Sequence, residues 1–500
     1  MYGTRTSTVN IRFLTAFADI RKLLCLENPQ WEARITMSTL EHELYDQISA
    51  MWVIDSHEHL PPEKDRLELE LDAVTLFDNY TRQDLRIAGM SRDEGFVAMD
   101  TSRPLDERWE LFNKYFPSVR NTSFFRNILL GVRELYGFDD INNNNYQELT
   151  AVLKKENKPG IYEHVLRDHC KILLALNQEF EAIWQIPDPG NFRIPQLWES
   201  QLNIGLGLGP LTLIDNELGR SVSSLDDYVE ALEELMAHYR TQGVCGIKLI
   251  KRHIQNRPSA EDVRPLFEKL LRSMDPPPPS TLISAKECWN RYFQEPQRGA
   301  CFPEPSLLGD ESGLSSNEAT ALRDFVAHAM IEAAGRVGMV IIFHCGCKGL
   351  WGDYRTANAA NMVPVFMQHP EVRFELYHGG LPWSRETGFI AKGFPNVWLN
   401  LCWAHALSQT MARSTLDEWL DLVPANKIIG FGADQFLWLE WVVGDLIQAR
   451  ENIAAVLAKR VQAGIFTEEH ALNVARMMLF DNSKNLYKLD CNTSDKFKYV

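Results

Sequence analysis

Short, almost wholly apolar runs recur along the chain, each bounded by glycine, proline or polar clusters. They fall at residues 52–55, 171–176, 192–198, 246–250, 340–343, 373–377, 397–401 and 428–432. Runs with so little polar alternation are expected of parallel strands buried on both faces. Segments with helical spacing separate most of them, at 225–240 before the fourth run, 317–337 before the fifth and 415–422 before the eighth. A long helix is predicted over 437–461 and a final one over 468–479. Eight strands alternating with helices predict an α/β protein of the (β/α)8 barrel type. A doubly wound open sheet is the rival. It would need a ligand-binding loop, and the glycine-rich stretch 205–210 has no phosphate-binding fingerprint.

Two long interruptions break the alternation, at about 60–165 and 256–311. The first has charged helical patterning, which predicts a helical cap beside the barrel mouth. The second contains Asp275-Pro-Pro-Pro-Pro-Ser280, a stiff extended break. The expected organisation is a leader over 1–50, a barrel over 51–490 that carries both insertions, and a tail over 491–500. Trp438 and Trp441 belong either to the core or to a contact between subunits, so a homo-oligomer stays open.

Composition narrows the function classes. The 500 residues are 45% hydrophobic and 24% charged, with 51 basic against 67 acidic side chains and a net charge of −16. A surface that acidic repels phosphate backbones, which argues against a nucleic-acid partner. No run approaches the roughly 18 apolar residues of a membrane span. Nine cysteines, an odd count without framework spacing, suggest reduced thiols. Residues 1–17 contain Arg5 and Arg12 and no acid, faintly like an organelle transit peptide, a disordered leader or an early helix. The cytoplasm is the first expectation.

The chemistry gathers at strand ends. Val53-Ile-Asp-Ser-His-Glu-His59 closes the first run, and alternation puts the imidazoles of His57 and His59 on one side of the chain. The fifth run ends in His344, the sixth in His378 and the eighth in Asp434. Singly, a strand-end histidine is often a satisfied core residue, and an aspartate after a strand is often a helix N-cap. Four strand ends together, at the barrel face that carries chemistry, point instead to a divalent metal held by imidazoles and a carboxylate.

With these residues in place, the chain resembles the amidohydrolase superfamily, most closely its amidohydrolase-related branch. The resemblance is carried by Asp55-Ser-His-Glu-His59, Phe343-His-Cys-Gly346, His378-Gly-Gly-Leu-Pro-Trp383 and Ile429-Gly-Phe-Gly-Ala-Asp434. Residues 394–400 and 482–487 are similar to the family's seventh strand and closing helix. It covers roughly residues 50 to 490, outside the insertions. The resemblance implies His57, His59, His344 and Asp434 as metal ligands, with Zn²⁺ first and Mn²⁺ as the alternative. It also implies His378 as a ligand to a second metal or a group polarising the substrate, and Asp434 as the general base. Lys248 is ambiguous: a carbamylated bridge between two metals in binuclear members, or a lysine that binds a substrate carboxylate or pairs with Asp434. The branch favours a single metal.

Around this set, Cys345 should point away from the mouth if His344 points in. Lys348, Asp353 and Arg355 follow the fifth run, and Trp383 and Arg385 follow the sixth, where substrate recognition belongs; an arginine there suits a carboxylate. His253 lies just past the fourth run, while His164, His328 and His470 fall on helical segments. The expected function is a metal-dependent hydrolase that attacks an amide, ester or lactone of a small, carboxylate-bearing molecule. The alternatives are uronate isomerisation or non-oxidative decarboxylation on the same scaffold, and a barrel that binds metal without catalysis.

Overall fold

The computed structural model describes residues 38–178, 192–198, 209–249, 254, 256–273, 313–348 and 353–491. Residues 1–37, most of the stretch 205–210, His253, the proline run 275–280 and the tail beyond Cys491 lie outside the described residues.

Each predicted run forms a strand: β1 Val53–Glu58, β2 Ile172–Gln178, β3 Arg193–Trp198, β4 Gly246–Leu249, β5 Val340–Phe343, β6 Phe374–Leu376, β7 Val397–Asn400 and β8 Ile428–Ile429. They pair in parallel in chain order from β1 to β8. The seam between β8 and β1 is drawn together by three backbone bonds. Ser56 N donates to Phe431 O at 3.3 Å, Asp434 N to His57 O at 2.9 Å, and His59 N to Gln435 O at 3.0 Å. The barrel is therefore nearly closed, and its last bonds are made where the candidate chemistry sits.

Alternation divides the strand residues between two cores. In β5, Ile341 and Phe343 pack outward into the cluster shared with the surrounding helices, whereas Val340 and Ile342 join an inner cluster with Ile54, Leu176 and Tyr487. Tyr487, from the helix Asn482–Tyr487, plugs the barrel floor. Its hydroxyl hydrogen-bonds the buried Glu375 carboxyl, which also accepts from Asn400 Nδ2 at 2.7 Å. Burial lifts Glu375 to about 7 against the pull of those two bonds.

The ring helices start where capping chemistry allows. Leu225–Thr241 follows Ser224, whose side chain accepts from Asp227 N, and Ser316–Arg336 follows a Ser315/Glu318 capping box. The long helix Leu439–Gln462 and the helix Glu468–Arg476 occupy the predicted carboxyl-terminal positions. No helix among the described residues is long and apolar enough to cross a membrane.

The first insertion is helical and builds its own aromatic core around Phe77, Phe112, Phe116 and Phe125. That core continues into the barrel through Trp403, Phe436, Trp438 and Trp441, so both of the open tryptophans are core residues. Cap and barrel touch backbone to backbone where the helix Ser123–Tyr136 crosses Leu439–Gln462. A Cβ at Gly131 would lie 1.8 Å from Glu440 O, and one at Gly444 1.9 Å from Asn127 O. A fully buried ion pair, Arg66 to Glu440 at 2.8 Å, locks the same crossing, and Tyr136 Oη donates to Glu440 at 2.6 Å. Removing one partner of such a pair typically costs about 3–5 kcal/mol.

Candidate metal centre

The centre begins with the alternation of β1. His57 and His59 project together at its C-terminal end, with ring centroids 4.8 Å apart. Their Nε2 atoms meet the same oxygen, Asp434 Oδ1, at 3.4 Å and 3.2 Å. All three side chains are buried, and one ligand atom from each lies within 4.8 Å of the other two. Among the described residues no other group of three or more His, Cys, Asp or Glu meets that spacing.

Asp434 does not arrive there by strand alternation. It stands at φ 53°, in the left-handed region that non-glycine residues seldom adopt. Three consecutive N–H groups fix it: Ala433 N donates to Asp55 Oδ1 at 3.3 Å, Asp434 N to His57 O, and Gln435 N to Glu58 Oε2 at 2.8 Å. The two acids of Asp55-Ser-His-Glu-His59 thus clamp the loop that presents the third. Burial lifts Asp55 to about 7, and burial together with the Asp55 charge lifts Glu58 well above the usual carboxylate range. Asp434 caps no helix: the next one begins at Leu439, with Trp438 at its N-cap.

These residues fit a divalent cation. Donors bound 2.0–2.2 Å from a common ion stand roughly 3–3.6 Å apart, and both imidazole distances to Asp434 Oδ1 fall in that range. Burial, and then the Lys248 charge, hold His57 down at about 3, so its imidazole is neutral. His59 Nδ1 lies 2.9 Å from Gln178 O, and because a carbonyl only accepts, the hydrogen sits on Nδ1 and the lone pair on Nε2, facing the centre.

His344 and His378 meet each other rather than the trio. His378 Nε2 and His344 Nδ1 are 3.0 Å apart, and His344 Nε2 lies 2.8 Å from Cys347 O. His344 therefore lies outside the three-residue cluster, while His378 Nδ1 comes within 3.9 Å of Asp434 Oδ2. His378 also stands at positive φ, 63°. Tyr377 points into the barrel, so a regular strand would turn His378 outward, and the left-handed residue brings it back to the mouth. Burial, then the Lys248 charge, hold His378 well below the ordinary histidine value.

Lys248 is buried on the inner face of β4, with Nζ 3.0 Å from His57 Nε2 and 4.3 Å from the Tyr377 ring centre. The expected loop arginines are engaged elsewhere. Arg355 is 81% exposed and grips Asp353 at 2.8 Å; Arg385 is 79% exposed and grips Glu418 at 2.8 Å. Trp383 is half-buried against Tyr354, and Cys345 packs into the outer core as alternation requires. Other aromatic rings close over the centre: Phe436 stacks on His59 at 4.7 Å, and Trp403 meets His378 edge-on at 5.5 Å. Sequence reading missed Asp55, Glu58, Gln178 and Tyr377. Of these, only Asp55 and Glu58 had a signal, as acids just before and within the HxH motif.

The amidohydrolase family model matches residues 308–489. The protein fluG of Emericella nidulans is 34% identical over 137 residues, which are 27% of this chain and 16% of fluG, so the match spans a small part of that protein's length. The uronate isomerase of Nostoc punctiforme is 22% identical over 498 residues, covering 90% of this chain and 95% of that protein. The crystal structure of the Thermotoga maritima uronate isomerase shares the fold, with a TM-score of 0.68 at 16% identity over 90% of this chain and 98% of that one.

Proposed function

Because the chain belongs to the amidohydrolase superfamily, we propose that it is a metal-dependent hydrolase of a small, carboxylate-bearing amide, ester or lactone. The observation that carries this reading is the meeting of His57 Nε2 and His59 Nε2 on one oxygen of Asp434. These three residues hold one divalent cation, Zn²⁺ before Mn²⁺, because two neutral imidazoles and a carboxylate suit both. Such a cation supplies Lewis acidity to a carbonyl oxygen and lets water lose a proton near neutral pH.

The two oxygens of Asp434 divide the work. Oδ1 faces the two imidazoles, and Oδ2, on the His378 side, takes the proton of the attacking water and returns it to the leaving group. Phe436 and Trp403 keep bulk water from the rings they cover. Lys248 Nζ, rather than Arg355 or Arg385, is the cation placed to receive a substrate carboxylate.

A second reading is isomerisation of a uronate, favoured by the similarity to uronate isomerases over nine-tenths of the chain. Asp434 would then carry the proton between two substrate carbons. Elemental analysis with a screen of lactones, benzoate-type acids and uronates separates the readings. One metal per chain with lactone, ester or amide cleavage supports the hydrolase. A ketose product from a uronate moves the assignment to the isomerase, and carbon dioxide release moves it to a decarboxylase. A metal-free protein with no turnover overturns all three.

A further inference from the structure

The chemistry just described leaves one polar pair of the mouth without a role, the two imidazoles that face each other. Their hydrogen positions follow from a single carbonyl. Cys347 O, 2.8 Å from His344 Nε2, can only accept, so His344 carries its hydrogen on Nε2. In a neutral ring that leaves a lone pair on Nδ1, which takes the hydrogen of His378 Nε2 at 3.0 Å. A neutral His378 bonded this way has its own lone pair on Nδ1. That nitrogen looks toward Asp434 Oδ2 at 3.9 Å and can accept from Cys402 Sγ at 3.5 Å. The Cys402 carbonyl, 3.3 Å from the same nitrogen, would take a hydrogen from it only if one of the two rings were an imidazolium.

We propose that His344 is a positioning residue and not a metal ligand. It fixes His378 in the Nε2–H form and so presents the Nδ1 lone pair to the reacting position beside Asp434. That lone pair suits a hydrogen-bond donor, the attacking water or a substrate hydroxyl. The ring orientation is set from two sides, by the left-handed backbone of His378 and by the Cys347 carbonyl acting through His344. This inference rests on the reading of His57, His59 and Asp434 as the ligand set.

The test uses the full-length protein loaded with Zn²⁺ alone. Nitrogen-15 histidine spectra at pH 8 should show both rings as neutral Nε2–H forms, with neither Nδ1 metal-bound. His344→Phe and His344→Asn should each keep one zinc per chain. In His344→Phe the single His378 form should split into a mixture. In His344→Asn the amide oxygen can again accept from His378 Nε2, and the single form should return. Loss of zinc from both variants, with wild type holding one, makes His344 a ligand and overturns the inference while the metal centre stands. A wild-type imidazolium at His344 overturns it directly, even if neither variant folds. A wild-type protein that binds no zinc overturns the ligand set first, and this inference with it.

Discussion

The two sides of the barrel mouth use the same residue type in opposite ways. On the β1/β8 side, two imidazoles turn their Nε2 atoms onto one carboxylate oxygen. On the β5/β6 side, two imidazoles turn toward each other, and only one nitrogen is left facing the acid. The difference lies in what stands behind each ring. His59 Nδ1 is bonded to Gln178 O, which frees Nε2, whereas His344 Nε2 is bonded to Cys347 O, which commits Nδ1 to His378. A strand-end histidine acquires its role from the backbone oxygen it meets, not from its position in the motif.

Removing a ring from the β1/β8 side should have the largest effect. His59→Ala should weaken Zn²⁺ binding by more than about 100-fold, beyond the 10–100-fold loss common for outer-shell partners. Chelator competition reads this directly, and retention of tight binding would erase the distinction between the two sides. Asp434→Asn comes next. Its neutral oxygen can still meet the cation, but it accepts no proton near neutral pH, so turnover should fall by about 10²–10⁴-fold while most metal is kept. An active Asp434→Asn enzyme would remove the base from the mechanism.

A fifth imidazole near the same rim differs from both pairs because it serves as a strut. His405 Nε2 donates to Gly430 O at 2.9 Å, and its Nδ1 accepts from Asn452 at 3.0 Å. Burial holds it down at about 4, below its ordinary value of 6.5. Between those values the unfolded chain binds a proton that the folded chain refuses. Its contribution is therefore fully present above about pH 6.5 and is lost as pH falls toward 4. Urea unfolding at pH 7 and pH 5 should show a drop from this residue of about 2 kcal/mol, at roughly 1.4 kcal/mol per pH unit. His405→Gln should flatten the drop by that amount; an unchanged drop would mean His405 titrates normally. The smallest expected change is at Lys248. Lys248→Met should leave metal content near one per chain and insensitive to bicarbonate, whereas a fall from two to one would establish a carbamylated bridge.

The barrel was legible because strands buried on both faces need no polar alternation, and all eight runs are strands. Their ends were less so. β8 keeps two ladder residues because the chain leaves it to bond β1 through Phe431, Asp434 and Gln435. His57 and His59 were legible because residues two apart at a strand end share a side, and they stay together although the β1 ladder is irregular between Asp55 and Glu58. His378 and Asp434 were placed at the mouth by their positions at strand ends, but the left-handed turns that aim them leave no mark in periodicity. The guanidiniums of Arg355 and Arg385 were open to any nearby acid. One found Asp353 two residues away and the other Glu418 thirty-three residues on, and charge patterning cannot tell such a partner from a substrate. The cap was expected beside the mouth, but its fusion with the barrel core through Trp403 and Trp441 depends on contacts across more than 250 residues.

One ion is expected among His57, His59 and Asp434. Anomalous diffraction from crystals of the Zn²⁺-loaded protein, collected on both sides of the zinc edge, tests it most directly. A single peak per chain is expected, about 2.0–2.2 Å from His57 Nε2, His59 Nε2 and a carboxylate oxygen of Asp434, with His344 still bonded to His378. Two peaks, or one peak bound through His344 Nε2, would contradict it.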